Sequence, residues 1–204
     1  MNYLYSILEP TARIRPAGGW AATYETIAWL VEQILEYPEG PEVVELGSGI
    51  ATLWMAYALQ KRRSGRLVSV EHDIKFLSLT EKRLSVHGLN ECVELKFAPL
   101  NEQTTEYATG HWYDLERPPR FRAGIDLLFV DGPPGGVAPR SRYPAMHYFA
   151  PLLSNGAYIV LDDVDREVEY SIAQSWLRED YEHGKLVLHE RLGRSTAFRF
   201  EKTS

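Results

Sequence analysis

Residues 43–51 have the sequence VVELGSGIA, an apolar run with one acid that leads through two glycines into a second apolar segment. A short apolar run bounded by glycine is typical of a strand that is buried on both faces of a sheet. Glycine lets the backbone turn sharply and approach another group closely, because it has no side chain to collide with. The segment therefore predicts a buried strand, a tight turn through Gly47, Ser48 and Gly49, and the start of a helix.

A second predicted strand also ends in an acid. Residues 66–71 have the sequence RLVSVE, which places Glu71 where an acidic side chain accepts hydrogen bonds from the ribose of a nucleotide. A dinucleotide fingerprint needs a third glycine at the position of Thr52. S-adenosylmethionine carries an amino group and no phosphate, so the acid at Glu45 and the missing glycine favour this cofactor over a dinucleotide.

Strand and helix patterns alternate along the rest of the chain. Strands are predicted at residues 42–46, 66–71, 93–97, 125–131, 158–161, 185–190 and 195–201, and helices at 27–35, 53–62, 74–87, 141–153 and 166–178. This alternation predicts an α/β fold with a mostly parallel seven-stranded sheet, an antiparallel last strand and helices on both faces. We expect residues 1–204 to form a single domain, with residues 1–18 as an irregular N-terminal arm and residues 101–123 as a long surface excursion.

Composition limits the partners. The chain has 204 residues, a net charge of −6 and one cysteine, so a nucleic-acid partner is not expected and an internal disulfide is excluded. No apolar run is long enough to span a membrane, and the first residues lack the pattern of a signal peptide. We therefore expect a cytoplasmic protein without membrane or nucleic-acid partners. Whether it acts alone or as a homodimer is left open.

Five positions fall at the ends of predicted parallel strands. They are Glu45, Glu71, Ala98, Asp131 and Asp162. Ligands of such sheets bind beyond the carboxyl ends of the strands, which share one edge. The sequence therefore predicts one shared site.

These motifs resemble the class I S-adenosylmethionine-dependent methyltransferases over about residues 20–200. The segment ELGSG at 45–49 and the acid Glu71 are similar to the most diagnostic elements of that family. The segments VDGPPG at 130–135 and VLDDVDR at 160–166 are similar to small bacterial catechol O-methyltransferase-like enzymes and to plant glucuronoxylan 4-O-methyltransferases. The resemblance implies a Rossmann-like methyltransferase fold and O-methylation of a hydroxyl on a small molecule, a sugar or a glycan.

The resemblance also implies site residues. It assigns the cofactor to Glu45, Gly47, Ser48, Gly49, Glu71, His72, Ala98, Leu100 and Asp131. Catechol-type enzymes bind a divalent metal through an acid after the fourth strand and an Asp-Asn pair after the fifth. Asp131, Asp162 and Asp163 match these positions, with aspartate in place of asparagine, so Mg²⁺ or Mn²⁺ is a reasonable ion. The catalytic lysine of that family is missing, because residues 132–134 are GPP.

The same three aspartates allow two kinds of chemistry. They would hold a metal that lowers the pKa of the acceptor hydroxyl, or one of them would act as a general base with a raised pKa. Capping of the following helix is an equally good explanation for Asp163, because aspartate is a preferred N-cap residue.

Arginine and aromatic residues are candidates for binding the acceptor. Arg142, Tyr143 and Arg166 flank the predicted site, and arginine forms forked hydrogen bonds to carboxylates or sugar hydroxyls. Surface salt bridges are an equally good explanation for the arginines. Trp112 and Tyr113 would form either an aromatic lid or a small satellite cluster.

Two other functions compete with methyl transfer. An NAD(P)-dependent oxidoreductase is disfavoured by Thr52 and by the terminal hairpin predicted around residues 192–194. A non-catalytic nucleotide-binding module would not need three carboxylates at the edge of the sheet.

Overall fold

The computed structural model describes residues 2–14, 21–104, 109–115 and 124–203. Its helices are α1 (Asn2–Leu8), α2 (Tyr24–Glu36), α3 (Ile50–Arg62), α4 (Ile74–His87), α5 (Pro144–Phe149) and α6 (Glu167–Arg178), with short 3-10 helices at Asn90–Cys92 and Ala150–Leu152. Its strands are β1 (Glu42–Leu46), β2 (Arg66–Glu71), β3 (Val93–Phe97), β4 (Leu100–Thr104), β5 (Thr109–Tyr113), β6 (Ile125–Val130), β7 (Leu153–Leu161), β8 (Asp180–Tyr181), β9 (Gly184–Leu192) and β10 (Ser195–Lys202). No helix in the described part of the chain is long and apolar enough to cross a membrane.

The central sheet has eight strands in the order β3-β2-β1-β6-β7-β10-β9-β8. Strands β3, β2, β1, β6 and β7 run parallel, and β10 lies antiparallel to β7. The predicted α/β fold with an antiparallel last strand is therefore confirmed. The sheet has one strand more than the predicted seven, because the short strand β8 pairs with β9.

Apolar cores cover both faces of the sheet, because successive side chains of a strand point to opposite sides. In β1, Val44 and Leu46 belong to the core that contains residues of α5 and α6. Val43 belongs to the core that contains residues of α1, α2 and α3. Because both faces of the sheet are covered, a ligand can reach polar side chains at the carboxyl ends of the parallel strands.

The first residues of the chain are helical, so the prediction of an irregular arm at 1–18 was wrong for α1. Leu4 and Leu8 are one helical turn apart and both are buried. Tyr5 packs edge-on against Trp54 with ring centroids 5.2 Å apart. These contacts with the rest of the protein stabilise α1. The prediction of an irregular arm had relied on the prolines and glycines that follow this helix. Residues 15–18 of the arm lie outside the described residues.

Two further boundaries differ from prediction. Part of the stretch predicted as a surface excursion is the antiparallel hairpin of β4 and β5, whose last residues, Trp112 and Tyr113, are buried. Residues 105–108 and 116–123 of that stretch lie outside the described residues. The helix predicted at 141–153 ends at Phe149, because Pro151 lacks the N–H that a continuing α-helix needs.

Candidate functional site

The carboxyl ends of the parallel strands are joined by backbone hydrogen bonds that continue past the strands. The N–H of Gly47 donates to Val70, that of Ala98 to Glu71, and that of Asp131 to Leu46, at 2.8–3.0 Å. The N–H of Asp162 donates to Val130 at 3.1 Å. The predicted strand-end residues therefore lie along one edge.

The glycine turn after β1 packs directly on the turn after β6. Gly47 has a φ of +95°, which favours glycine, and a Cβ there would lie 3.2 Å from the backbone nitrogen of Gly132. Gly49 has no atom within 4 Å of the place where its Cβ would stand. The two turns thus touch at Gly47, and open space lies above Gly49 at the start of α3.

Glu45 is fully buried beneath this turn. Its Oε2 accepts hydrogen bonds from the hydroxyls of Thr52 at 2.6 Å and Ser69 at 2.5 Å, whereas its buried Oε1 has no hydrogen-bond partner among the residues that the structure describes. Burial raises the pKa of Glu45 to about 7, although the two hydroxyl hydrogen bonds act in the opposite direction. An unpartnered buried carboxylate oxygen is unfavourable, so a cationic amino group bound here would be stabilised.

Thr52 has a role of its own. Its hydroxyl accepts a hydrogen bond from the N–H of Gly49 at 2.8 Å and donates to Glu45. The residue that replaces the third glycine of the dinucleotide fingerprint therefore connects the turn to the buried acid. Sequence analysis used it only to reject a dinucleotide.

Glu71 is held by several donors at the end of β2. Its Oε2 accepts from the N–H and hydroxyl of Ser48 at 2.9 and 3.1 Å, and its Oε1 accepts from the N–H groups of His72 and Asp73 at 2.8 and 2.9 Å. Burial alone would raise the pKa of Glu71, but these hydrogen bonds and the imidazole of His72 lower it. Glu71 is therefore an ionised acceptor next to the glycine turn, and a ribose hydroxyl would share its oxygens with these protein donors.

Asp131, Asp162 and Asp163 converge, with one carboxylate oxygen from each lying within 4.8 Å of the others. Asp162 is completely buried, Asp163 is nearly so, and the side chain of Asp131 is 18% exposed. Burial and the charge of Asp162 raise the pKa of Asp131 well above its usual value, while Arg142 opposes this shift. Asp131 is therefore the member of the cluster that a ligand can reach.

Three arginines surround these aspartates. One terminal nitrogen of Arg142 lies 3.0 Å from Asp163 and 3.5 Å from Asp131. Arg166 pairs with Asp163 at 2.9 Å, and Arg194 pairs with Asp162 at 3.1 Å. Arg142 and Arg166 therefore each pair with an aspartate of the cluster, an arrangement that sequence analysis did not consider, and binding of an acceptor by either arginine stays a prediction.

Asp162 and Asp163 differ in their surroundings. Asp162 accepts hydrogen bonds from Ser195 and Arg194, which outweigh the effect of burial and lower its pKa. Asp163 has a φ of +60°, a conformation that aspartate tolerates better than most residues. It does not cap α6, whose N-cap is Arg166.

The hairpin of β4 and β5 brings Tyr113 to the glycine turns. A Cβ on Gly132 would collide with the Tyr113 hydroxyl, and the Tyr113 ring lies edge-on to His72 at a centroid distance of 6.2 Å. Trp112 instead packs against Tyr148 in the core, with ring centroids 5.0 Å apart. Of the two predicted lid residues, only Tyr113 lies at the site.

Other predicted site residues take other positions. The hydroxyl of Tyr143 donates to Glu179 at 2.7 Å. Glu179 directly follows the C-terminal end of α6, whereas Arg166 and Asp163 precede its N-terminal end. The structure therefore does not bring that hydroxyl to the aspartates. Ala98 is fully buried at the end of β3, and Leu100 is partly buried against the core.

Sequence analysis missed Arg194 and Ser195 as site residues. Arg194 lies in the turn between β9 and β10, Ser195 is the first residue of β10, and the pairing of Thr196 with Leu161 places both beside the end of β7. The predicted antiparallel last strand was the available signal, because it returns its turn to the same edge of the sheet.

A large groove of about 1260 Å³ lies at the opposite edge of the sheet, lined in part by Gly40, Glu42 and Asp126. The carboxylate of Asp126 accepts hydrogen bonds from the Tyr37 hydroxyl and the Glu42 N–H at 2.6 and 2.9 Å. This groove lies at the starts of β1 and β6, so it is separate from the acidic edge.

Comparison with known proteins gives consistent matches. The family described as "Methyltransferase domain" matches residues 44–164, which is more than half of the chain. The catechol O-methyltransferase of Niastella koreensis is 29% identical over 135 residues, covering 63% of this chain and 52% of that protein. The chain thus spans about half the length of this curated relative.

Solved structures show the same fold over nearly the whole chain. The O-methyltransferase TomG of Streptomyces achromogenes, in complex with SAM, has a TM-score of 0.62 at 17% identity and covers 99% of this chain and 95% of its own. The O-methyltransferase of Bacillus cereus, in complex with SAH, has a TM-score of 0.64 at 16% identity, with coverage of 98% and 96%. The chain therefore belongs to the methyltransferase domain family and has the fold of the class I S-adenosylmethionine-dependent methyltransferases.

Proposed function

We propose that this protein transfers the methyl group of S-adenosylmethionine to a hydroxyl of a small molecule or a sugar. The observation that carries the proposal is the buried, unpartnered Oε1 of Glu45 beneath a glycine turn with open space above Gly49. The amino group of the cofactor would donate the hydrogen bond that Oε1 of Glu45 lacks among the described residues. The neighbouring ionised Glu71 would accept hydrogen bonds from the ribose hydroxyls. These features fit the methionine and ribose parts of the cofactor.

The reaction needs a base next to the methyl group. When bound, S-adenosylmethionine supplies a methyl group on a positively charged sulfur, which leaves as a neutral thioether. The acceptor oxygen forms the new bond to the methyl carbon and gives its proton to a carboxylate. Asp131 suits this role, because its backbone lies beside Gly47, its side chain is partly exposed and its raised pKa makes it a stronger base than a solvated aspartate.

The other two aspartates are better suited to holding the site together. Both oxygens of Asp162 accept hydrogen bonds from Ser195 and Arg194, and one oxygen of Asp163 is shared by Arg142 and Arg166. This arrangement does not fit a divalent cation, since arginines already neutralise the carboxylates.

Arg166 is the arginine placed to bind an acceptor. Its side chain is 48% exposed, whereas that of Arg142 is 3% exposed. An exposed guanidinium beside Asp163, which belongs to the same cluster as Asp131, suits an acceptor with several hydroxyls or a carboxylate. The catechol O-methyltransferase of Niastella koreensis supports a hydroxyl acceptor in general.

Calorimetric titration with S-adenosylhomocysteine, with NAD as the control ligand, tests the cofactor. Binding of the first and not of the second supports the proposal, and the reverse result favours an oxidoreductase. Transfer of label from methyl-labelled S-adenosylmethionine to catechol, to a sugar acid and to an aliphatic amine then tests the acceptor. Labelling of the amine alone would contradict O-methylation.

A further inference from the structure

We infer that Arg142 occupies the place of a divalent cation in the aspartate cluster, so that the site excludes Mg²⁺ and methyl transfer proceeds without a metal. The statement about catalysis rests on the proposed function. Exclusion of the cation does not depend on that function, because it follows from the geometry and the charges of the cluster.

The guanidinium of Arg142 contacts each of the three residues that would bind a metal. One terminal nitrogen lies 3.5 Å from Oδ1 of Asp131 and 3.0 Å from Oδ2 of Asp163, and the other donates to the backbone carbonyl of Asp162 at 3.0 Å. A divalent cation binds carboxylate oxygens at about 2.0–2.6 Å. A cation in this cluster would therefore lie against a buried positive charge.

The charges of the cluster are already balanced. Its three carboxylates face three guanidiniums, those of Arg142, Arg166 and Arg194. A carboxylate cage attracts a dication through its excess negative charge, and none is left here. The desolvation of Mg²⁺ would therefore not be offset.

The position of Arg142 is fixed by the loop that carries it. Its Nε donates to the carbonyl of Pro133 at 3.3 Å, and the adjacent Ser141 hydroxyl lies 3.2 Å from the same carbonyl. The side chain is buried and all three of its nitrogens donate hydrogen bonds, so admission of an ion would require these hydrogen bonds to break.

Titration with Mn²⁺, followed by calorimetry and by electron paramagnetic resonance, tests the inference. We expect no site-specific binding by the unaltered protein and about one Mn²⁺ per chain in Arg142→Ala, where the carboxylates lose their cation. Arg140→Ala is the matched control, because Arg140 binds Ser171 and Ser175 on α6 and no aspartate of the cluster. This control is expected to bind no Mn²⁺.

Stoichiometric Mn²⁺ binding by the unaltered protein would overturn the inference. Absence of binding in a folded Arg142→Ala protein would also overturn it, and Arg142→Gln replaces this variant if circular dichroism shows that the alanine protein is unfolded. Methyl transfer is expected to be equal in EDTA and in Mg²⁺, and a tenfold loss in EDTA that Mg²⁺ restores would contradict metal independence. Failure to bind S-adenosylhomocysteine would refute the proposed function and leave the Mn²⁺ result intact.

Discussion

The affinity of the protein for S-adenosylhomocysteine is expected to rise about tenfold between pH 6 and pH 8. Glu45 has a pKa of about 7 because it is buried, and the proposed partner of its Oε1 is the ammonium group of the ligand. Only the ionised carboxylate attracts that ammonium. Its fraction rises from about one tenth at pH 6 to about nine tenths at pH 8.

Calorimetric titration at both pH values, in buffers with different ionisation enthalpies, measures this change and the proton released on binding. Glu45→Gln is expected to bind about 10- to 100-fold more weakly at pH 8, since a hydrogen bond to a charged group contributes about 1.5–3 kcal/mol. Its affinity is also expected to be independent of pH. Glu182→Gln is the matched control, because the Glu182 side chain is 81% exposed.

Titration with 5′-methylthioadenosine distinguishes the effect of Glu45 from that of the ribose contacts, because this ligand lacks the amino group but retains the ribose. Its affinity is expected to stay constant over the same pH range. The reasoning is refuted if the affinity for S-adenosylhomocysteine does not change with pH, or if both ligands respond equally. Either result would mean that the ammonium group does not meet Glu45.

Burial raises the pKa of Glu45 from 4.5 in the unfolded chain to about 7 in the folded protein, so between these pH values only the folded protein keeps the proton. The contribution to the free energy of unfolding, up to about 3 kcal/mol, is therefore expected to be fully present below pH 4.5 and to be lost as the pH rises through 7. Urea denaturation of the protein and of Glu45→Gln checks this, and an equal pH response of both would contradict it. Asp131→Asn is expected to reduce methyl transfer at least 100-fold, with unchanged affinity for S-adenosylhomocysteine. The exposed Asp180→Asn is the kinetic control, and an active Asp131→Asn enzyme would exclude the base. Asp162→Ala is expected to destabilise the fold by about 1–3 kcal/mol, because it removes the buried acceptor of the Ser195 hydroxyl and of Arg194, and a change below about 1 kcal/mol in thermal unfolding would argue against these hydrogen bonds. Gly132→Ala is expected to lower the melting temperature, because its Cβ would collide with the tyrosine hydroxyl of β5, and an unchanged melting temperature would show that the hairpin moves freely.

The carboxyl edge of the sheet could be predicted from local sequence. An apolar run that ends in an acid predicts a parallel strand and its ligand-binding end, so Glu45, Glu71, Asp131 and Asp162 were placed correctly relative to the strands. Such a strand is recognised from its own residues, because burial on both faces of the sheet makes nearly every position apolar. The helix α1 lacked such a signal, since its stability comes from contacts of Leu4 and Leu8 with distant elements.

The surroundings of the aspartates could not be predicted in the same way. Arg194 and Ser195 reach Asp162 through the pairing of β10 with β7, and the direction of the Arg142 side chain depends on a loop conformation. Sequence analysis therefore placed Arg142 at the mouth of the pocket, whereas the structure places its guanidinium among the carboxylates. The direction of the Tyr143 side chain could not be predicted for the same reason: its hydroxyl donates to Glu179 after the C-terminal end of α6, whereas the adjacent Arg142 donates to Asp163 before the N-terminal end.

The three arginines of the cluster come from parts of the chain that leave the ribosome at different times. Arg142 precedes β7 and Arg166 follows it, whereas Arg194 comes from the turn before β10. During synthesis, the Asp162 carboxylate lacks the donors Arg194 and Ser195 until β10 has been made and has paired with β7. A nascent chain that ends before Arg194 therefore contains the residues of the glycine turn but lacks two donors of the aspartate cluster.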